Sequence, residues 1–309
     1  MSVSSSCFHP NLIMPGVAKC GTTTLHDILT AHPRITGGIE KEARFVMDDH
    51  DPLARDHAIG PAGMAAWRNC FADKGEGDFD YWLDASPQYQ YQDIAPQVIS
   101  GLDPAPRLIF IVRSPATRIA SLYRYAVYHH KAVSGFEGLA DFVDALKQGD
   151  DPRIGPRRML ANAWADTHYD AMLERWREVV EPANIYCIWL ESLNADRAGV
   201  LTRLAAWLGV SPEPLIAADT SRSNPSVQTR SRTIKRVGAR LAKVLPDNAV
   251  VRAAKTAVRQ LNSAELPAGE IEQHKGLMRQ LDIEFAPSVD RFNAMVRTYQ
   301  PDFREQSFA

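Results

Sequence analysis

Two short stretches carry residue types that can grip an anion. The first is Pro15-Gly16-Val17-Ala18-Lys19-Cys20-Gly21-Thr22-Thr23-Thr24, entered by the apolar run Leu12-Ile13-Met14 and followed by a helical segment, Leu25 to Ala31, that stops before Pro33. Such a glycine-bounded loop lets backbone N–H groups close on a phosphate, because glycine has no Cβ to block the approach and the helix dipole favours negative charge. In a nucleotide-hydrolysing P-loop, G-x4-G-K-[ST], the lysine follows the second glycine. Here the Gly16 to Gly21 spacing is kept, yet Thr22 follows Gly21 and Lys19 lies inside the loop. The pattern suits a phosphate-like group without the NTPase arrangement. The second stretch is Arg113-Ser114-Pro115-Ala116-Thr117-Arg118-Ile119-Ala120-Ser121. Arg113 leaves a strand end, and Arg118 and Ser121 share a helix face, so guanidinium and hydroxyl together suit a phosphate monoester. The plain alternative is an arginine at a sheet edge and a solvated helix face.

The elements that must position these residues follow from periodicity. Arg107 to Val112 is a β-branched and aromatic run of the kind buried on both faces of a parallel sheet, and Ser114 with Pro115 can cap and start a helix to about His130. Ile35-Thr36, Tyr81-Trp82-Leu83 and Ile185 to Leu190 read as further strands, and helices are expected near 62–71, 94–99, 136–147, 160–180 and 197–208. The tail from about 248 to 299 is helical in pattern, with breaks expected near Pro267 and Pro287. Strands alternating with helices predict an α/β fold, a mostly parallel, doubly wound, P-loop-like sheet flanked by helices with a helical C-terminal extension. One domain over 1–309 is expected, with a core of about 10–220, a basic segment of about 221–243 and the extension beyond it.

In combination these residues resemble the sulfotransferases that use 3′-phosphoadenosine-5′-phosphosulfate (PAPS), and more narrowly the carbohydrate branch with the heparan sulfate enzymes and bacterial relatives. The family's K-x-G-T-T loop is matched by Lys19-Cys20-Gly21-Thr22-Thr23, with Thr24 beside it, and its R-x-P strand end with a later serine by Arg113, Pro115 and Ser121. Lys41-Glu42-Ala43-Arg44-Phe45 matches K-E-x-x-F, and Ser86-Pro87-Gln88-Tyr89 matches S-P-x-Y. Glu191-Ser192-Leu193 resembles E-D-L, and Asn224 with Arg230-Ser231-Arg232 resembles a basic cofactor-covering segment. The resemblance implies PAPS as donor and adenosine 3′,5′-bisphosphate (PAP) as product. It implies a 5′-phosphosulfate site at residues 19–24, a 3′-phosphate site at Arg113 and Ser121, and a covering role for Arg230 and Arg232. Lys19 would stabilise charge on the leaving phosphate, and Glu42 would be the general base, with Glu40 as its rival. Lys41, Ser86 and Tyr89 would contact the acceptor. Ala85 stands where heparan-type enzymes commonly have a lysine, which removes a basic contribution to that site. Tyr89, Tyr91 and Trp82 could offer stacking surfaces to an acceptor, but aromatics near a strand end are more often core and are read so here.

No metal is demanded by this chemistry, and Asp48, Asp49, His50 and Asp51 read as a solvated acidic loop rather than a metal site. A P-loop kinase would need a lysine after Gly21 and an acid on Mg²⁺; a nucleic-acid-binding protein would use the basic residues of 222–243. With 35 basic and 37 acidic residues the formal charge is -2, so no global attraction to nucleic acid is expected. Four scattered cysteines, no apolar run of membrane-spanning length and no leader pattern point to a cytoplasmic protein, and the resemblance implies a small-molecule or glycan acceptor.

Overall fold

Runs that are apolar along most of their length, such as LIMPG, RLIFIV and IYCIW, are of the kind buried on both faces of a parallel sheet. In the computed structural model, of which residues 9–49, 51, 53–54, 65–71, 77–129, 133–156, 158–219, 227–229, 263–265 and 274–308 are described, β1 (Leu12–Gly16), β2 (Ile35–Gly37), β3 (Tyr81–Asp84), β4 (Arg107–Val112) and β5 (Ile185–Trp189) pair in the order β2-β3-β1-β4-β5. Every pairing is parallel. Along β4 the period of two sends Leu108, Phe110 and Val112 into one layer with Trp176, Trp189 and Phe292. Ile109 and Ile111 enter the other with Leu25, Leu29, Leu201 and Leu204.

The chain leaves β1 for β2 and β3 on one side and crosses back to β4 on the other, so the strand order reverses beside β1. Ligands of open α/β sheets lie beyond the strands' carboxyl ends at such a point. There β1 runs into α1 (Thr22–Thr30) and β4 into α4 (Pro115–Tyr123), which continues as a π-helical stretch, Arg124–His129. The expected α/β architecture is present. Between these elements lie α2 (Ala65–Asn69), α3 (Ile94–Ser100), α5 (Leu139–Gln148), α6 (Arg158–Ala161), α7 (Tyr169–Arg177), α8 (Leu190–Ala195), α9 (Arg197–Leu208) and α10 (Glu213–Ala217). A short β6 (Val227–Thr229) pairs antiparallel with β7 (Ser263–Glu265).

Two expectations fail for identifiable reasons. The helix expected over 160–180 is broken between α6 and α7 because Ala163 O and Thr167 Oγ1 turn inward to the buried Arg118 guanidinium. The break expected at Pro287 does not occur: α11 (Lys275–Arg297) runs through it. Pro287 lies on the exposed side while Leu281, Phe285, Val289, Phe292 and Val296 are buried, and that packing outweighs the roughly 3 kcal/mol that an interior proline costs. Pro267 lies outside the described residues, but the helical reading of the tail fails at Ser263–Glu265, which pairs as β7 with β6. No helix among the described residues is long and apolar enough to cross a membrane.

β5 is an edge strand, and its outer backbone is closed by a side chain. Gln300 accepts from Cys187 N–H at 3.0 Å and donates to Cys187 O at 3.1 Å, and the residue is buried. Gln300→Ala leaves both backbone groups unpaired, so urea denaturation should show a loss of about 2 kcal/mol, with Gln300→Glu recovering at most the half that only accepts.

Candidate active site

The loop after β1 is set by contacts from its neighbours. Val17 N–H donates to Ile111 O of β4 at 3.0 Å, Arg118 Nε to Ala18 O at 3.2 Å and Arg113 Nη1 to Lys19 O at 3.3 Å. These hold Lys19 at a φ of 72°, backbone that a non-glycine residue seldom adopts. Gly21 follows at φ 94°, the left-handed backbone that favours glycine, and a Cβ there would also press on Leu190 Cδ1 at 2.9 Å. Gly21 opens α1 with no side-chain cap, leaving the first-turn N–H groups of the Thr22 to Thr24 turn without one. Cys20 points inward, its thiol against Tyr169 OH at 3.7 Å, so only its backbone faces the cleft side of the loop.

α4 starts differently. Ser114 caps it through Thr117 N–H, its own N–H donates to Glu191 Oε1 at 2.9 Å, and Asp282 Oδ1 of α11 accepts from Ser114 Oγ and Ala116 N–H. Two carboxylates already occupy that helix start, so an anion at this junction must be held by side chains. Arg113 and the half-buried Ser121 are available, and Arg113 Nε is buried without a partner among the described residues. Arg118 is not available. Its guanidinium is wholly buried and donates to Ala18 O, Ala163 O and Thr167 Oγ1, so the phosphate-clamp reading of Arg118 is replaced by a loop-anchoring one.

Burial lowers the Lys19 ammonium pKa to about 8; Cys20 and Glu42 oppose that shift, while Arg113 and Arg124 reinforce it. Lys19 Nζ meanwhile lies 4.0 Å from the Tyr125 ring centroid. Three cations thus crowd one another beside an open helix N-terminus, an arrangement that an oxyanion would relieve. Arg124 was not singled out from the sequence, although it lies three residues beyond Ser121 on the same helical face.

The opposite wall hangs on Asp84 at the end of β3. Its buried carboxylate accepts from Ser86 Oγ at 2.6 Å, Tyr89 OH at 2.7 Å and Trp67 Nε1 at 3.0 Å, while desolvation raises its pKa. Ser86 Oγ and Tyr89 OH accept in turn from Arg44 N–H at 3.0 Å and Phe45 N–H at 2.8 Å. Ser86 and Tyr89, expected at the acceptor, are therefore wholly buried and act as struts for residues 44–46. Those struts present Lys41 and Glu42. Lys41 Nζ lies 3.4 Å from both Glu42 Oε1 and Thr22 Oγ1 and 3.5 Å from Ala85 O, its pKa lowered by burial. Glu42 Oε2 accepts from Gln88 Nε2 at 2.7 Å, whereas Glu40 is exposed. Gln88 was visible in the sequence only as the variable position of S-P-x-Y.

The acidic stretch is not solvated throughout. Asp48 is buried, accepts from Asp93 and Ile94 N–H and pairs with Arg158, and Asp51 takes Gln92 Nε2 at 2.8 Å. Asn224, Arg230, Arg232, His50 and His130 lie outside the described residues.

The model of the Sulfotransferase family matches residues 10–214, which include both anion junctions and the Glu42 segment. The chain belongs to that family. Membership of that family counts against the P-loop kinase reading. The chain is 25% identical over 217 residues to the mouse bifunctional heparan sulfate N-deacetylase/N-sulfotransferase 4, covering 68% of this chain and 24% of that one. It is 26% identical over 204 residues to the mouse heparan sulfate glucosamine 3-O-sulfotransferase 6, covering 65% and 52%. The matches thus span at most about half of those relatives. A sulfotransferase structure from Alicyclobacillus acidocaldarius superposes with a TM-score of 0.59 at 21% identity, covering 94% of this chain and 96% of that one, and supports the fold. The uncapped α1, the crowded cations and the orphaned Arg113 Nε fit the two phosphate ends of PAPS.

The lowered Lys19 pKa has a direct consequence. Below pH 8 the lysine is charged and attracts a phosphate; as pH rises through 8 the free protein loses that charge, and anion binding must draw the proton back. Calorimetry should find that PAP affinity falls between pH 7 and 9, with proton uptake near pH 8, and that Lys19→Arg flattens the fall. Tyr89→Phe, by unpairing Phe45 N–H, should cost about 1–3 kcal/mol in urea denaturation.

Proposed function

We propose that the protein moves a sulfuryl group from PAPS to a hydroxyl of a carbohydrate or glycoconjugate, with Glu42 as general base and Lys19 opposite the leaving phosphate. The observation that carries this is the Lys41 ammonium, which touches both Glu42 Oε1 and Thr22 Oγ1 and so sets the proposed base beside the open start of α1. PAPS supplies an electrophilic sulfuryl group and a phosphate leaving group. Around it, the amides of Thr22, Thr23 and Thr24 would hold the 5′-phosphate, and Arg113 and Ser121 the 3′-phosphate. Lys19 would stabilise charge on the bridging oxygen, and Glu42 would take the acceptor proton as the oxygen attacks in line.

The carbohydrate class rests on the names of the relatives. Ala85 is buried and offers only its carbonyl, to Lys41, so position 85 adds no second cation beside Lys41 for a heparan-like polyanion. A neutral or amino sugar fits better. Cys20 and Cys187 are buried as thiols, in keeping with a cytoplasmic setting.

Radiolabelled PAPS offered with a panel of neutral, amino and sulfated oligosaccharides tests the reading. Transfer to a sugar is expected, and Glu42→Gln should keep wild-type PAP affinity while turnover falls by about 10² to 10⁴-fold. Absence of PAP binding by the wild type, or full turnover by Glu42→Gln, contradicts it. Arg113→Ala and Ser121→Ala should each weaken PAP more than they weaken adenosine 5′-phosphate, which lacks the 3′ group.

A further inference from the structure

We infer that Gln88 is a positioning residue for the base, holding the Glu42 carboxylate in its reacting orientation through one donated hydrogen bond; this rests on the reading of Glu42 given above. Gln88 Nε2 lies 2.7 Å from Glu42 Oε2, and the other carboxylate oxygen, Oε1, faces Lys41 and the start of α1. The amide therefore fixes one oxygen and leaves the one nearer the anion cradle to receive a proton. A carboxylate only accepts, so the NH₂ end of Gln88 must face it and the amide cannot be flipped without setting oxygen against oxygen.

Packing alone does not account for this residue. Residues 44–46 are already held by Ser86 Oγ and Tyr89 OH, and Gln88 adds to that segment only its bond to Glu42. Its own Oε1 is buried with no partner among the described residues, and the residue is 8% exposed. A buried acceptor left unpaired destabilises the fold, so a side chain selected for stability alone would be apolar at this position. A glutamine suits the task for two reasons. It is neutral, so it leaves the base its charge, and its bond favours the ionised carboxylate, which is the form that accepts a proton. Its backbone is fixed at both sides, because Ser86 and Tyr89 are anchored on Asp84. Among the described residues, the other charged or titratable groups that act on Glu42 include Lys41 on its own segment, Lys19 of the cradle loop, His26 of α1, Tyr91 of the 89–91 turn and Tyr125 after α4.

Two near-isosteric variants separate positioning from packing. Gln88→Met removes the donor and keeps the volume; Gln88→Glu puts a second carboxylate against the first. PAP affinity, read first by calorimetry, should match wild type in both, which shows an intact cradle. With radiolabelled PAPS and an oligosaccharide acceptor from the panel, Gln88→Met should lose about tenfold or more in kcat, the worth of one hydrogen bond to a charge. Its acid limb in kcat/KM should move to higher pH, and that of Gln88→Glu further still, with activity regained as pH rises. Wild-type kcat and an unmoved acid limb in both variants, beside an inactive Glu42→Gln, overturn the proposal. Full activity of Glu42→Gln instead overturns the assignment of the base.

Discussion

The buried guanidinium of Arg118 is the interaction on which the donor side of this molecule depends. A cation wholly removed from water must be met by oxygen atoms, and three are brought to it: Ala18 O from the loop after β1, Ala163 O and Thr167 Oγ1 from the break between α6 and α7. One side chain on α4 thereby fixes the loop that precedes α1 and fixes where a distant helix is interrupted. Tyr169 adds a parallel tie, its hydroxyl donating to Arg113 O at 2.9 Å and lying against the Cys20 thiol. The two strand-to-helix junctions are therefore one rigid unit, and Lys19 can hold its unusual backbone because its neighbours over-determine it.

The base side repeats the logic with the sign reversed. Asp84 is a buried carboxylate met by three donors, and the two that belong to the Ser86 to Tyr89 turn hand the order on to residues 44–46. Between the two buried charges Lys41 reaches Thr22 on the donor side and Glu42 on the base side. Neither buried charge meets the reaction in this account. Each spends its hydrogen bonds on backbone and hydroxyl groups that aim the residues which do.

Much of this was legible in the sequence. The five strands, the start of α4 at Ser114-Pro115 and the span of α9 follow from local pattern, and the displaced lysine pointed away from NTPase chemistry. Where the reading went astray, a distant partner had claimed the residue. Arg118 and Ser121 share a face by spacing, but only a folded neighbour 45 residues on shows that Arg118 is spoken for. Ser86 and Tyr89 are the fixed letters of their motif and lie in the core; the variable letter, Gln88, meets Glu42. Asp282 caps α4 from 168 residues away, a contact that no window of sequence contains. Pro287 shows the converse, since a local breaker is overruled when five apolar residues on the opposite face are buried.

The central claim is that a single cleft holds both phosphate ends of the donor against the β1 and β4 junctions and aims Glu42 at its reacting side. A crystal structure of the complex with PAP tests this most directly. The account predicts the 5′-phosphate on the first-turn amides of α1 with Lys19 turned from Tyr125 towards it, the 3′-phosphate on Arg113 and Ser121, and Glu42 facing the 5′-phosphate across a gap the width of one hydroxyl. A phosphate seated at the start of α4 in place of Glu191 and Asp282, or Glu42 turned away from the 5′-phosphate, would contradict it.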